Sequence, residues 1–173
     1  MAEPALRRRL PFRAVNRRGH PGYAPGMQRH HLLPRQLLSQ DCFRVMFETV
    51  GRDCVGFDDF RSNGLLLPAS DGTALRFGLP LHRGPHRNYN AMVMERVGQI
   101  EKGWSTLRSR SPDIAENQVL MRLRLLQRAL RRRILAPGEK RVSLNRKDPL
   151  RKSADFSELD AMADALWGAT GSP

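Results

Sequence analysis

Cysteine, histidine, acidic charge and long apolar runs are all scarce in this chain. Its two cysteines, Cys42 and Cys54 among 173 residues, form neither a CxxC pair nor a dense framework. A disulfide scaffold and a zinc knuckle are thereby excluded. Two buried free thiols in a reducing compartment are expected, with a single disulfide across the intervening residues left open. No run approaches the ~18 apolar residues of a membrane span. The first twenty residues carry arginines but no apolar stretch of ~7–15, so a secretory signal is not expected. The expected location is the cytoplasm, or a target cell reached through a dedicated secretion system. No internal repeat is found. Acidic residues number 17 against 30 Lys and Arg, leaving a net charge of +13. A pI near 11.3 points to a polyanionic partner. Nucleic acid is the first choice and an anionic membrane surface its competitor.

Residues 1–26 are rich in Arg, Pro and Gly with almost no apolar periodicity. They read as a flexible basic arm, which either tracks phosphates or is a solvated tail. A helix-compatible stretch runs from Pro34 to Thr49, with Leu37, Leu38, Phe43, Val45, Met46 and Phe47 as candidate core. Gly64 to Leu67 reads as a short strand, Pro68–Gly72 as a turn, and Ala74 to Leu81 as a second apolar segment. Met92, Val93, Val97 and Ile100 recur at helical spacing within Asn88–Trp104. Ser111-Pro112-Asp113 resembles a helix start, and Val119, Leu123, Leu126, Leu130 and Ile134 make a clean stripe behind it. Arg122, Arg124, Arg128, Arg131, Arg132 and Arg133 cover the other faces of that helix. They lie along a sugar-phosphate backbone, or they are simply solvated. Residues 106–152 are therefore a basic helical extension ending in a linker over 139–152. Residues 153–173 hold four acidic residues and no Lys or Arg. Ser157 is placed to cap a short final helix carrying Leu159, Met162, Leu166 and Trp167. That acidic piece either folds back onto the basic surface or docks another protein.

Only five histidines are present, and four fall in two tight clusters, His30-His31 and His82-x-x-x-His86. Imidazoles four apart on a helix share one face, close enough to hold one metal ion. Gly84-Pro85 argues against a regular helix across the pair; His82 on the approach and His86 in the first turn fits better. His30-His31 precedes Pro34, which disfavours helix at Leu33. In an extended chain, neighbouring side chains point to opposite sides. One imidazole then coordinates an ion while the other, with a pKa near neutrality, takes a proton from water. Alone, a His-His pair is usually surface chemistry and an HxxxH usually no site; their joint occurrence favours function.

The blocks RHHLLP, FRSNGLLLP and GLPLHRGPHRNYNAMV together resemble the HNH nucleases of the ββα-metal superfamily. The closest likeness is to the AHH nuclease family, often found as toxin modules of bacterial conflict systems. The resemblance covers about residues 26–105, so residues 27–105 are taken as the nuclease core. It implies that His30, His82 and His86 are metal ligands and that His31 is the general base. It implies that Asn63 braces the loop and orients that base. Tyr89 matches an aromatic position after the last histidine. Arg29 stands where the family usually has a small residue.

The expected function is metal-dependent hydrolysis of nucleic-acid phosphodiester bonds, DNA ahead of RNA, by one divalent ion. Three nitrogen ligands favour Zn, Ni or Mn over Mg in affinity. Arg29, Arg83 and Arg87 are candidates for contacting phosphate. The resemblance suggests a toxin or effector with an acidic immunity protein as partner, although a mobile-element nuclease would show the same residues. The competing reading is a non-catalytic basic nucleic-acid-binding module whose histidines hold a structural zinc. The expected architecture is α+β: a ββα-metal core, with a short two-stranded hairpin and a helix gripping the metal, surrounded by further helices.

Overall fold

Two short strands carry the middle of the fold. In the computed structural model, which describes residues 8–138 and 141–150, β1 (Met27–His31) pairs antiparallel with β2 (Gly64–Pro68). The register sets His31 opposite Gly64, His30 opposite Leu65 and Met27 opposite Pro68. β2 is almost wholly buried, with Leu65 and Leu67 in the core, while β1 exposes Gln28 and Arg29 and buries His30.

Helices close around it, each by one apolar stripe. Helix α1 (Asp41–Val50) buries Phe43, Met46, Phe47 and Val50, then stops at Gly51, whose φ of +78° suits glycine. Two single-turn helices follow, α2 (Arg52–Val55) and α3 (Phe60–Asn63), the second leading directly into β2. Helix α4 (Asp71–Phe77) follows β2. Helix α5 (Arg87–Leu107) buries Tyr89, Val93, Val97, Ile100 and Trp104. Helix α6 (Pro112–Ile134) starts on a proline, which lacks only an N–H that would be unpaired there, and buries Ala115, Val119, Leu123, Gln127, Leu130 and Ile134. These stripes, the sheet and Leu32, Leu33 and Leu37 form one hydrophobic core. The observed class is α+β, as the sequence predicts.

Several expectations are corrected. Residues 8–26 are not a detached arm. Phe12 is buried, Pro11 bridges to Asp59, and the Asn16 side chain bonds the backbone of Ala24 and Met27. The buried ring and these backbone contacts together dock the segment. The stretch 34–49 is not one helix. A 3-10 turn over Arg35–Ser39 gives way at extended Gln40 to α1, whose first turn carries Asp41 at the favourable end of the helix dipole. The apolar segment 74–81 does not pair with β2. Ser70 accepts from the Thr73 amide, and Gly78 adopts φ +62°, so both helix-capping signals are met and α4 forms instead. The two strands are therefore joined by the whole of residues 32–63 rather than by a hairpin turn. Val45 is 48% exposed. Cys42 and Cys54 are free, as expected, but both are exposed rather than buried. Residues 141–150 are not a free linker, since Leu144 and Asp148 are buried. The final helix expected after Ser157 lies outside the described residues.

Candidate active site

Strand alternation separates the two histidines of the pair. Gln28 and His30 point to one side of β1, and Arg29 and His31 to the other. On the first side His30 is only 3% exposed. His82 is delivered beside it by a backbone bond, its N–H donating to the Pro68 carbonyl at 2.6 Å where β2 ends. His86 is the N-cap residue of α5, its backbone outside the helix and its side chain at the helix entrance. The ring centroids of His30 lie 4.9 Å from His82 and 5.6 Å from His86, and those of His82 and His86 are 4.4 Å apart. One ring nitrogen from each lies within 4.8 Å of the other two.

Hydrogen bonding decides which nitrogens remain free. The His82 Nδ1–H donates to Gln28 Oε1 at 3.2 Å. The His86 Nδ1–H donates to the Leu144 carbonyl at 3.1 Å. Both bonds fix the tautomer and leave the Nε2 lone pair available. His30 Nε2 is buried with no hydrogen-bond partner among the described residues. An orphaned ring nitrogen is costly to bury, and a cation is the partner that three converging lone pairs fit. His30 and His82 are also held unprotonated, as metal ligation requires. Burial first, then the neighbouring imidazoles His82, His86 and His31, lower the His30 pKa to about 2. Burial, then His86 and His31, lower His82 to about 4.

On the opposite side, His31 stacks on Phe12 with centroids 3.7 Å apart and planes within 2°. Phe60 meets Phe12 edge-on at 5.1 Å. Gly64, the strand partner of His31, is required by this packing: a Cβ there would come within 2.2 Å of the Phe60 ring. Burial, then the charge of Arg35, lower the His31 pKa to about 4, with Asp58 opposing and Arg29 adding to the fall. His31 is thus an unprotonated imidazole at neutral pH, half-buried and held flat by an aromatic face.

Immediately after the pair, the chain is clamped. Asn63 is fully buried, and its Oδ1 accepts from the Leu33 amide at 2.7 Å. Its Nδ2 donates to the Leu33 and Phe57 carbonyls, both at 3.1 Å. The Tyr89 hydroxyl donates to the Leu32 carbonyl at 2.7 Å, and its ring lies 5.0 Å from His30. Burial raises the phenol pKa above its ordinary value, so the hydroxyl remains a donor. Asn63 therefore touches the loop behind His31 and α5 anchors it from the other side.

The three arginines divide. Arg29 Nη1 donates to the Phe12 carbonyl at 2.7 Å and so tethers the segment that carries the stacking ring. Arg83 and Arg87 are exposed and line a groove of ≈ 910 Å³ together with Arg146 and Lys147.

Sequence reasoning missed Phe12, Gln28, Gln127 and Leu144. Gln28 was findable, because it shares a strand face with His30. Gln127, whose Nε2 donates to the Val55 carbonyl at 3.2 Å and to Asn63 Oδ1 at 3.4 Å, occupies an apolar-stripe position of α6 that only the packed neighbour explains. Leu144 acts through its backbone carbonyl, for which side-chain patterns carry no signal.

A family profile, described as a nuclease family of the HNH/ENDO VII superfamily with conserved AHH, matches residues 11–130. No curated protein and no solved structure matches the chain significantly. Arg29 precedes the His30-His31 pair, and its side chain leaves the sheet on the side away from the imidazole cluster. The match spans more than half of the chain and includes both histidine clusters and Asn63, so the chain belongs to the AHH nuclease family of the HNH/ENDO VII superfamily.

Proposed function

We propose that this chain is a metal-dependent endonuclease with a ββα-metal core, formed by β1, β2 and the start of α5. His30, His82 and His86 hold one divalent ion, and His31 is the general base. The observation that carries this reading is the orphaned Nε2 of His30, in a cluster with two imidazoles whose Nδ1 atoms are already engaged. When bound, the ion supplies Lewis acidity at a nonbridging phosphate oxygen and stabilises charge on the leaving oxygen. Zn, Ni and Mn suit three nitrogen donors better than Mg does.

His31 accepts a proton from the water that attacks phosphorus; the bond to the leaving 3′ oxygen breaks as the new phosphorus–oxygen bond forms. Phe12 keeps the His31 ring in one plane, and Asn63 and Tyr89 hold the backbone behind it. DNA is the favoured substrate over RNA. The biological setting we propose is a toxin or effector nuclease restrained by an acidic immunity protein, a reading supported by the net charge of +13.

The test incubates the purified chain with supercoiled plasmid and, separately, with structured RNA, adding Mg, Mn, Ni or Zn in turn. Cleavage that EDTA abolishes and that His31→Ala lowers by about 10²–10⁴-fold, the usual contribution of a general base, is expected. Metal binding without cleavage would move the assignment to a nucleic-acid-binding module with structural zinc. Cleavage undiminished in His31→Ala would remove His31 from the mechanism.

A further inference from the structure

The family match ends at residue 130, yet the chain returns to the histidine cluster after it. At the end of α6 the Val142 N–H donates to the Arg133 carbonyl at 3.1 Å, and Arg141 Nε donates to the Ala136 carbonyl at 2.8 Å. From there residues 141–150 run as a strap across the His82–His86 loop. Leu144 is buried, and its carbonyl holds His86 Nδ1. Asn145 Nδ2 bonds the Arg83 carbonyl. Asp148, itself only 6% exposed, accepts from the Leu81 amide at 3.2 Å and from the Leu150 amide at 3.0 Å. The strap is therefore anchored at its start to the end of α6, and through Leu144, Asn145 and Asp148 to the segment that carries two of the three clustered imidazoles.

Its outer face is cationic. Arg146 and Lys147 meet Arg83 and Arg87 around the ≈ 910 Å³ groove, and Ser143 and Asn145 add hydrogen-bonding groups. The groove lining contains no carboxylate among the described residues. Four cations around one groove repel each other unless an anion of repeating charge sits between them. The groove adjoins the imidazole cluster directly, since Pro85 and Leu144 line it and Leu144 also bonds His86.

We propose that the strap is a built part of the nuclease centre and that its Arg146 and Lys147, with Arg83 and Arg87, hold backbone phosphates of a nucleic-acid strand next to the one presented to the histidine cluster. The inference rests on the nuclease reading for its substrate class. It adds a binding wall from outside the family-matching region. Phosphate contacts of this kind position the strand without reading its sequence.

The experiment measures binding rather than cutting. Fluorescence anisotropy of the full chain is recorded in EDTA with a labelled duplex DNA and, separately, a labelled RNA hairpin, over a range of salt concentrations. Each lost phosphate contact lowers the slope of log affinity against log salt by about 0.9 on duplex DNA. Arg146→Ala is expected to lower it by about 0.9, and the double variant with Lys147→Ala by about 1.8. Both side chains are exposed, so circular dichroism and metal affinity should match wild type. Arg110→Ala, at the far end of α6 and roughly 33 Å along the helix axis, should leave the slope unchanged. A double variant that keeps the wild-type slope on both probes overturns the proposal, as does a wild-type chain that binds neither probe. A chain that cuts with an unaltered slope sinks the strap alone. One that binds through the strap but never cuts sinks the nuclease reading alone.

Discussion

Asn63→Ala is expected to cost this protein roughly 3–5 kcal/mol, far more than an average substitution. The side chain makes three hydrogen bonds of 2.7–3.1 Å to the backbone of Leu33 and Phe57. It is fully buried, so water cannot take its place. Each bond contributes about 1 kcal/mol net, and where a buried backbone partner is left unsatisfied the loss for that bond is about 1–3 kcal/mol instead, so one such group among the three places the total at about 3–5 kcal/mol. With a urea slope of about 2 kcal/mol/M, the unfolding midpoint should fall by about 2 M. Asn63→Asp is no rescue, because an oxygen then replaces Nδ2 opposite two carbonyl oxygens. The assay is urea unfolding followed by far-ultraviolet circular dichroism, with cleavage measured in parallel at low temperature, where the variant remains folded. Cleavage should fall more than metal affinity does, since the loop behind His31 loses its clamp while His82 and His86 keep their own hydrogen bonds. A stability loss below about 1 kcal/mol would refute the reasoning, because the Leu33 backbone groups would then have found other partners.

Two further outcomes follow from neighbouring contacts. Tyr89→Phe removes the bond to the Leu32 carbonyl and should cost about 1–2 kcal/mol by the same urea assay, with the helix content of α5 unchanged; a neutral substitution would mean that the hydroxyl does not tie α5 to the histidine loop. At Asp59, burial pushes the carboxyl pKa up, but hydrogen bonds from the Leu10 and Arg61 amides and the Ser62 hydroxyl, with the Arg61 charge, bring it below the usual value. A depressed folded-state pKa contributes stability above the unfolded value, ~3.9, and loses it as pH falls through the folded one. Wild type should therefore exceed Asp59→Ala by about 1 kcal/mol at neutral pH, with the gap closing in acid; a gap that widens in acid would contradict the assignment.

The histidine arithmetic was readable from the sequence because chemistry of this kind is local. A strand forces His30 and His31 apart, whereas His82 and His86 share no helix and are brought together by the Pro68 carbonyl and the entrance of α5. The stripes of α5 and α6 were equally readable, since a helix buried on one face repeats its apolar residues at its own period. Where local signals competed, the reading failed. Ala74–Leu81 is apolar enough for a strand, and the caps at Ser70 and Gly78 decided for a helix. The basic composition of residues 1–26 pointed to a flexible arm, and over residues 8–26 the Phe12 ring, the Pro11–Asp59 bridge and the Asn16 side chain dock it instead.

What the sequence determined by itself was the inventory: two close pairs of histidines, an asparagine between them along the chain, and a large excess of positive charge. Tertiary structure decided which nitrogen of His82 and of His86 is free, because that depends on the Gln28 side chain and the Leu144 carbonyl, far from their partners along the chain. It also brought Phe12 onto His31 and Arg146 and Lys147 beside Arg83 and Arg87. These are contacts between residues with no shared periodicity. They arise only when separate segments must bury their apolar faces in one core and satisfy every backbone group left inside it.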